Sequence, residues 1–145
     1  MTVTVQPARA ATPELLAGLN ALLPQLSPNA PQLTMAEVES MVGSDTTTLF
    51  VALDEGSIVG TLTLLVYQIP MGVRAWIEDV VVDEDARGLG IGEALTVAAV
   101  EEARSRGVRT IGLTSRPARE AANALYQKLG FERRETNIYR LTLGN

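Results

Sequence analysis

The stretch Asp83-Glu84-Asp85-Ala86-Arg87-Gly88-Leu89-Gly90-Ile91-Gly92-Glu93 joins an apolar strand to a helix, and its reading decides the architecture. Glycines at 88, 90 and 92 let the backbone approach a ligand closely and aim several N–H groups at one point. That point is also the positive end of the following helix, where the macrodipole favours an anion. Arg87 adds a cation at the rim. A diphosphate suits such a site, the plain structural alternative being a tight strand-to-helix turn. Two better-known phosphate loops do not fit. The dinucleotide fingerprint needs a third glycine where Glu93 stands, and the P-loop needs Gly-Lys before Ser or Thr, whereas the only lysine of the chain is Lys128.

Upstream of this corner, Ala75 to Val82 reads as a strand, with Trp76, Glu78, Val80 and Val82 on one face and Ile77, Asp79 and Val81 on the other. Thr48 to Leu53 and Ile58 to Val66 form a hairpin about Asp54-Glu55-Gly56-Ser57, and Thr2 to Gln6 is an opening strand. Tyr67 to Val73 reads as a loop. Thr12 and Pro13 start a helix whose stripe is Leu15, Leu16, Leu19, Leu22 and Leu23, running to Pro24. Ser27 to Gln32 is a loop, after which Thr34 and Glu37 form a capping box that opens a short helix to Met41. Downstream, Glu93 to Arg106 is helical and stops at Gly107. Thr110 to Thr114 is a short strand, Ser115 and Pro117 open a helix ending at Gly130, and Phe131 to Arg134 and Ile138 to Leu143 close the chain as strands. The expectation is α/β (α+β): one mixed, mostly antiparallel sheet of about seven strands flanked by about four helices, forming a single domain over 1–145.

Composition narrows the chemistry. The chain has 145 residues, 46% apolar and 20% charged, the balance of an ordinary globular protein. It contains neither cysteine nor histidine, which excludes a disulfide, a cysteine-borne acyl intermediate, a serine–histidine hydrolase and a histidine zinc site; no metal is expected. Residues 1–73 carry one cation, Arg9, against six acids, and the formal net charge is −5. An acidic chain is a poor nucleic-acid binder, so no nucleic-acid partner is expected. The N-terminus has no basic cluster or apolar core of a signal peptide and no run long enough for a membrane span, giving a cytoplasmic, membrane-free expectation.

A second motif lies at Ala122-Asn123-Ala124-Leu125-Tyr126-Gln127-Lys128-Leu129-Gly130-Phe131. With Arg87, Gly90 and Gly92 in the pattern Gln/Arg-x-x-Gly-x-Gly/Ala, it resembles the GNAT superfamily of N-acetyltransferases, whose second signature is Ala-x-x-Leu-Tyr-x-x-x-Gly-Phe. The two motifs cover residues 74 to 131 and stand in the family's order, separated by a helix and a strand. The resemblance implies acetyl-CoA as co-substrate. Its diphosphate would be held by Arg87, Gly88, Leu89, Gly90, Ile91, Gly92 and Glu93, and its pantetheine arm by the main chain of Val80, Val81 and Val82. Tyr126 stands where the family has the general acid for the departing thiolate, in contact with the cofactor. Arg119 departs from the family's usual asparagine seven residues before the tyrosine; it reads as a phosphate clamp, with Asn123 taking over the amide role.

Glu78 is the candidate base, acting directly or through water. The strand Trp76-Ile77-Glu78-Asp79-Val80-Val81-Val82 also looks like that of glucosamine-6-phosphate N-acetyltransferases, although the similarity is short. Three functions fit: transfer of acetyl to the primary amine of a small molecule, which is favoured; acetylation of a protein lysine or N-terminus; and a non-catalytic acyl-CoA-binding module. The acceptor is not legible in the residues. Oligomeric state stays open, a homodimer paired through terminal strands being the form the resemblance implies.

Overall fold

A computed structural model describes residues 2–144. Five strands form one sheet in the order β1 (Val3–Pro7), β2 (Thr47–Asp54), β3 (Ser57–Ile69), β4 (Gly72–Val82) and β5 (Ile111–Gly112). The first four pair antiparallel, and β5 runs parallel to β4. Four helices accompany them: α1 (Pro13–Leu26), α2 (Met35–Val42), α3 (Ile91–Ser105) and α4 (Glu120–Lys128). The mixed α/β architecture is as expected, with five strands in place of about seven. Contacts divide the chain into two compact units, Met1–Thr114 and Ser115–Asn145.

In the first unit the sheet is covered on both faces. Leu15 and Leu19 of α1 and Val38 of α2 pack with Leu49 and Val51 of β2 in one buried cluster. The Thr12 hydroxyl accepts the Leu15 amide at 3.1 Å, and Thr34 with Glu37 closes the expected capping box. Both devices satisfy first-turn donors that the helix itself leaves unpaired. On the other face Phe50, Ala52, Leu62, Leu64 and Ile77 are buried, as are Ile91, Leu95, Ala99 and Ala103 of α3. Burying one leucine side chain is worth roughly 1.5–3 kcal/mol, so these two layers carry most of the unit's stability.

The β3–β4 hairpin is longer than its sequence indicated. Its ladder continues to Ile69↔Gly72, so most of Tyr67–Val73 is strand rather than loop. Tyr67, Ile69 and Val73 favour extended backbone, and only Pro70 and Met71 are left to turn. A second correction concerns β4. Thr63 faces Glu78 but Thr61 faces Val81, so Asp79 and Val80 together oppose one residue, Leu62. This is a β-bulge, and Asp79 has φ +50°. The extra residue reverses the alternation: Val81 shares the face of Glu78, and Val82 pairs with Gly60 on the α3 side.

In the second unit, α4 begins at Glu120, later than Ser115 and Pro117 implied, and Gly130 closes it with φ +99°. The expected strands Phe131–Arg134 and Ile138–Leu143 are absent among the described residues. Residues 132–144 are exposed and make no hydrogen bond there. A strand needs a neighbouring ladder to satisfy its backbone, and none adjoins these segments.

Candidate active site

The corner after β4 is built in two parts. In residues 83–86 each amide has a partner. Asp83 donates to the Val59 carbonyl at 2.8 Å, Glu84 to Gln25 Oε1 at 2.9 Å, Asp85 to Asp83 Oδ1 at 3.0 Å, and Ala86 to the Asp83 carbonyl at 2.8 Å. Arg87 then donates from Nε to the Val82 carbonyl at 3.3 Å. From Gly88 to Gly92 no amide donates to any group among the described residues. The first intrahelical donor of α3 is Ala94, to the Gly90 carbonyl at 3.0 Å.

Backbone shape leaves these amides open. Gly88 has φ +81° and Gly90 φ +78°, the latter serving as N-cap of α3 without a side-chain cap. L-residues with a Cβ avoid this region, and glycine enters it freely. A Cβ at either position would meet nothing within 4 Å, so the space in front of the loop is open. The helix behind is 15 residues long, enough for a full macrodipole. A hollow of about 300 Å³ between Val3, Leu89, Gly90, Ile91 and Ala94 adjoins the loop. Orphan donors, a positive helix end and the Arg87 guanidinium fit a diphosphate, so these residues suit coenzyme A.

Beside the corner, β4 and β5 part company. Their ladder has only Ala75↔Ile111 and Trp76↔Gly112, leaving Ile77–Val82 without a β5 partner. The Trp76 indole lies against Gly112, where a Cβ would collide with the ring. Val81 is buried, and Val80 and Val82 are half-buried. Such a free strand edge can pair with an extended ligand through its main chain. Glu78 and Asp79 are both exposed at the bulge, and Glu78 shares the face of Trp76 and Thr63. Among the described residues no cluster of three or more metal-ligating side chains occurs.

In the second unit Tyr126 is buried at 8% exposure, its ring edge-on to Phe131 with centroids 5.7 Å apart. Burial pushes its hydroxyl pKa above the ordinary value, and the Arg119 guanidinium partly opposes this. Arg119 is exposed at the N-terminus of α4, and Asn123 Nδ2 donates to the Arg116 carbonyl at 3.0 Å. The side-chain amide N–H of Asn123 thus holds the turn before the helix.

Sequence reading missed Gln25, whose contact with Glu84 spans 59 residues and leaves no local signal. Asp83 was legible in principle, since an aspartate two residues before its bonded amide is the Asx-turn pattern.

A family profile described as "Acetyltransferase (GNAT) family" matches residues 16–131. The chain belongs to the GNAT acetyltransferase family. The family uses acetyl-CoA. A glucosamine 6-phosphate N-acetyltransferase from Trypanosoma brucei brucei is 40% identical over 86 residues, 57% of this chain and 56% of that protein. A mycothiol acetyltransferase from Paenarthrobacter aurescens (strain TC1) is 46% identical over 57 residues, 39% of this chain and 18% of that protein. The chain therefore spans less than two thirds of either relative. Among solved structures, a putative acetyltransferase from Agrobacterium tumefaciens str. C58 superposes with TM-score 0.85 at 29% identity, covering 96% of this chain and 99% of that one. Among the described residues no helix of this GNAT chain is long and apolar enough to cross a membrane.

Proposed function

We propose that this chain is an acetyl-CoA-dependent N-acetyltransferase, one domain over 1–145, that acetylates the primary amine of a small molecule by direct attack in a ternary complex. The observation that carries the reading is the run of amides from Gly88 to Gly92, at the tip of α3, that have no partner among the described residues. Acetyl-CoA would supply the acetyl group as a thioester: the C–N bond forms as the C–S bond breaks, and coenzyme A leaves as the thiol.

The chain's own residues divide the remaining work. Arg87 and the Gly88–Gly92 amides hold the diphosphate, Glu93 closing the first turn behind them. The free β4 edge at Val80, Val81 and Val82 takes the pantetheine arm through main-chain groups, and an N–H on this strand steadies the thioester carbonyl. Arg119 and Asn123 serve the cofactor as clamp and amide contact. Glu78, exposed and in no ion pair among the described residues, takes the proton from the acceptor ammonium, directly or through water. Tyr126 protonates the leaving sulfur. At reference values of ~10 for tyrosine and ~8.5 for a thiol this transfer is uphill by about 2 kcal/mol, which an oriented hydrogen bond offsets. Burial raises the Tyr126 pKa, which keeps the hydroxyl protonated but makes it a weaker acid and adds to this cost.

A small cationic acceptor is supported by the exposed Glu78 and Asp79, by the single cation of residues 1–73, and by the likeness to an amino-sugar N-acetyltransferase. A cytoplasmic location and pairing of two copies through the terminal segment belong to the same proposal. The pairing is supported by Ile138, Tyr139, Leu141 and Leu143, which are 69–91% exposed.

A thiol-release assay with acetyl-CoA against a panel of small amines, and against lysine and free-N-terminus peptides, tests the function. Turnover on amines alone is expected. Turnover on peptides alone transfers the assignment to a protein-directed enzyme, and coenzyme A binding without turnover on either panel makes it a non-catalytic binder.

A further inference from the structure

The turn 83–86 that aims the open amides is held partly from outside. Three of its four amide bonds are made with β3 or within the turn itself, to the carbonyls of Val59 and Asp83 and to Asp83 Oδ1. The fourth comes from α1, where the side-chain carbonyl of Gln25 accepts the Glu84 amide at 2.9 Å. Only the oxygen of the amide side chain can accept that N–H, so the contact fixes which way Gln25 faces.

The helix that carries Gln25 is well anchored. Leu15, Leu19 and Leu22 are buried, and Leu22 lies one turn before Gln25. On the same helix Asn20 grips Leu33 twice, accepting its amide at 2.8 Å and donating to its carbonyl at 3.2 Å. Helix α1 therefore ties down both the loop before α2 and the entry to the phosphate-facing corner. Gln25 itself is exposed, and its side chain makes no other hydrogen bond among the described residues. Its loss leaves the three other turn bonds and the packing of α1 in place. It frees the Glu84 amide to swing, and with it the direction of the chain entering Arg87.

We propose that Gln25 is a positioning residue for the cofactor: through the Glu84 amide it sets the aim of the Gly88–Gly92 amides and so the hold on the coenzyme A diphosphate. This rests on the acetyltransferase reading above. One lost hydrogen bond, near 1 kcal/mol, corresponds to about fivefold in affinity.

Calorimetric titration with coenzyme A on the whole chain tests this, comparing wild type, Gln25→Leu and Gln25→Glu, the last keeping an acceptor oxygen. Gln25→Leu is expected to weaken coenzyme A binding about five- to tenfold and to raise KM for acetyl-CoA with kcat within about twofold. Gln25→Glu should recover most of the affinity, and amide resonances of 84–92 should move in Gln25→Leu while those of the sheet stay. Wild-type protein that fails to bind coenzyme A overturns the functional reading together with this proposal. Wild type that binds, with Gln25→Leu unchanged, overturns the proposal alone. A fall in kcat without a rise in KM does so too.

Discussion

Residues 83–86 and 88–92 are neighbours in the chain and follow opposite rules. In the first every amide is consumed by the fold, and in the second none is among the described residues. The closed turn carries acids, Asp83, Glu84 and Asp85, whereas the open loop is glycine-rich and ends on a helix dipole. Orphan donors are tolerated at this spot because they face open space, where water serves them until an anion arrives. Rigidity is thus placed beside, and not within, the segment that meets the ligand.

If the corner only binds, the largest loss of turnover must come from elsewhere. Tyr126→Phe should lower kcat by roughly 10²–10⁴-fold with coenzyme A affinity nearly unchanged, as read by steady-state kinetics beside calorimetry. Unaltered turnover removes Tyr126 from the chemistry. The open half is broken most directly by Gly90→Val, which places a branched side chain at φ +78° and in the approach path. Coenzyme A affinity should fall at least about tenfold, with a stability cost of about 1–2 kcal/mol in urea unfolding. The closed half is broken by Asp83→Ala, which strips the acceptor from the Asp85 amide. Here stability should fall by about 1 kcal/mol, with a smaller loss of affinity than at Gly90. The smallest effect is one of pH. Burial raises the Tyr126 pKa, so the acid form is complete below the ordinary tyrosine value of 10.0 and is lost only as pH rises through the raised one. The alkaline fall of kcat due to this group should therefore lie above pH 10, seen in a pH–rate profile. A limb centred on pH 8 assigns the titration to another group.

Much of this corner was legible because its signals are local. Glycine spacing, the strand before it and the helix after it sit within a few residues of one another. The capping box at Thr34 and Glu37 and the stripe of α1 were readable for the same reason. The bulge was not. Val80, Val81 and Val82 are alike, so nothing in their order betrays that an extra residue shifts the phase. Phe131–Arg134 and Ile138–Leu143 were likewise read as closing strands, yet local sequence gives only a willingness to pair and cannot supply the neighbour. Side-chain contacts across long separations, such as Gln25 to Glu84, lie beyond any local rule.

The doubled position at Asp79 and Val80 makes β4 two strands end to end with opposite parity. Before it, even-numbered residues look away from α3, and Glu78 can be charged and wet; after it, even-numbered Val82 turns toward α3. Removing either Asp79 or Val80 would restore a one-to-one ladder with Val81 still opposite Thr61 and Val82 opposite Gly60, so the extra residue serves the exposed Asp79 corner and leaves the apolar faces of the strand as they are.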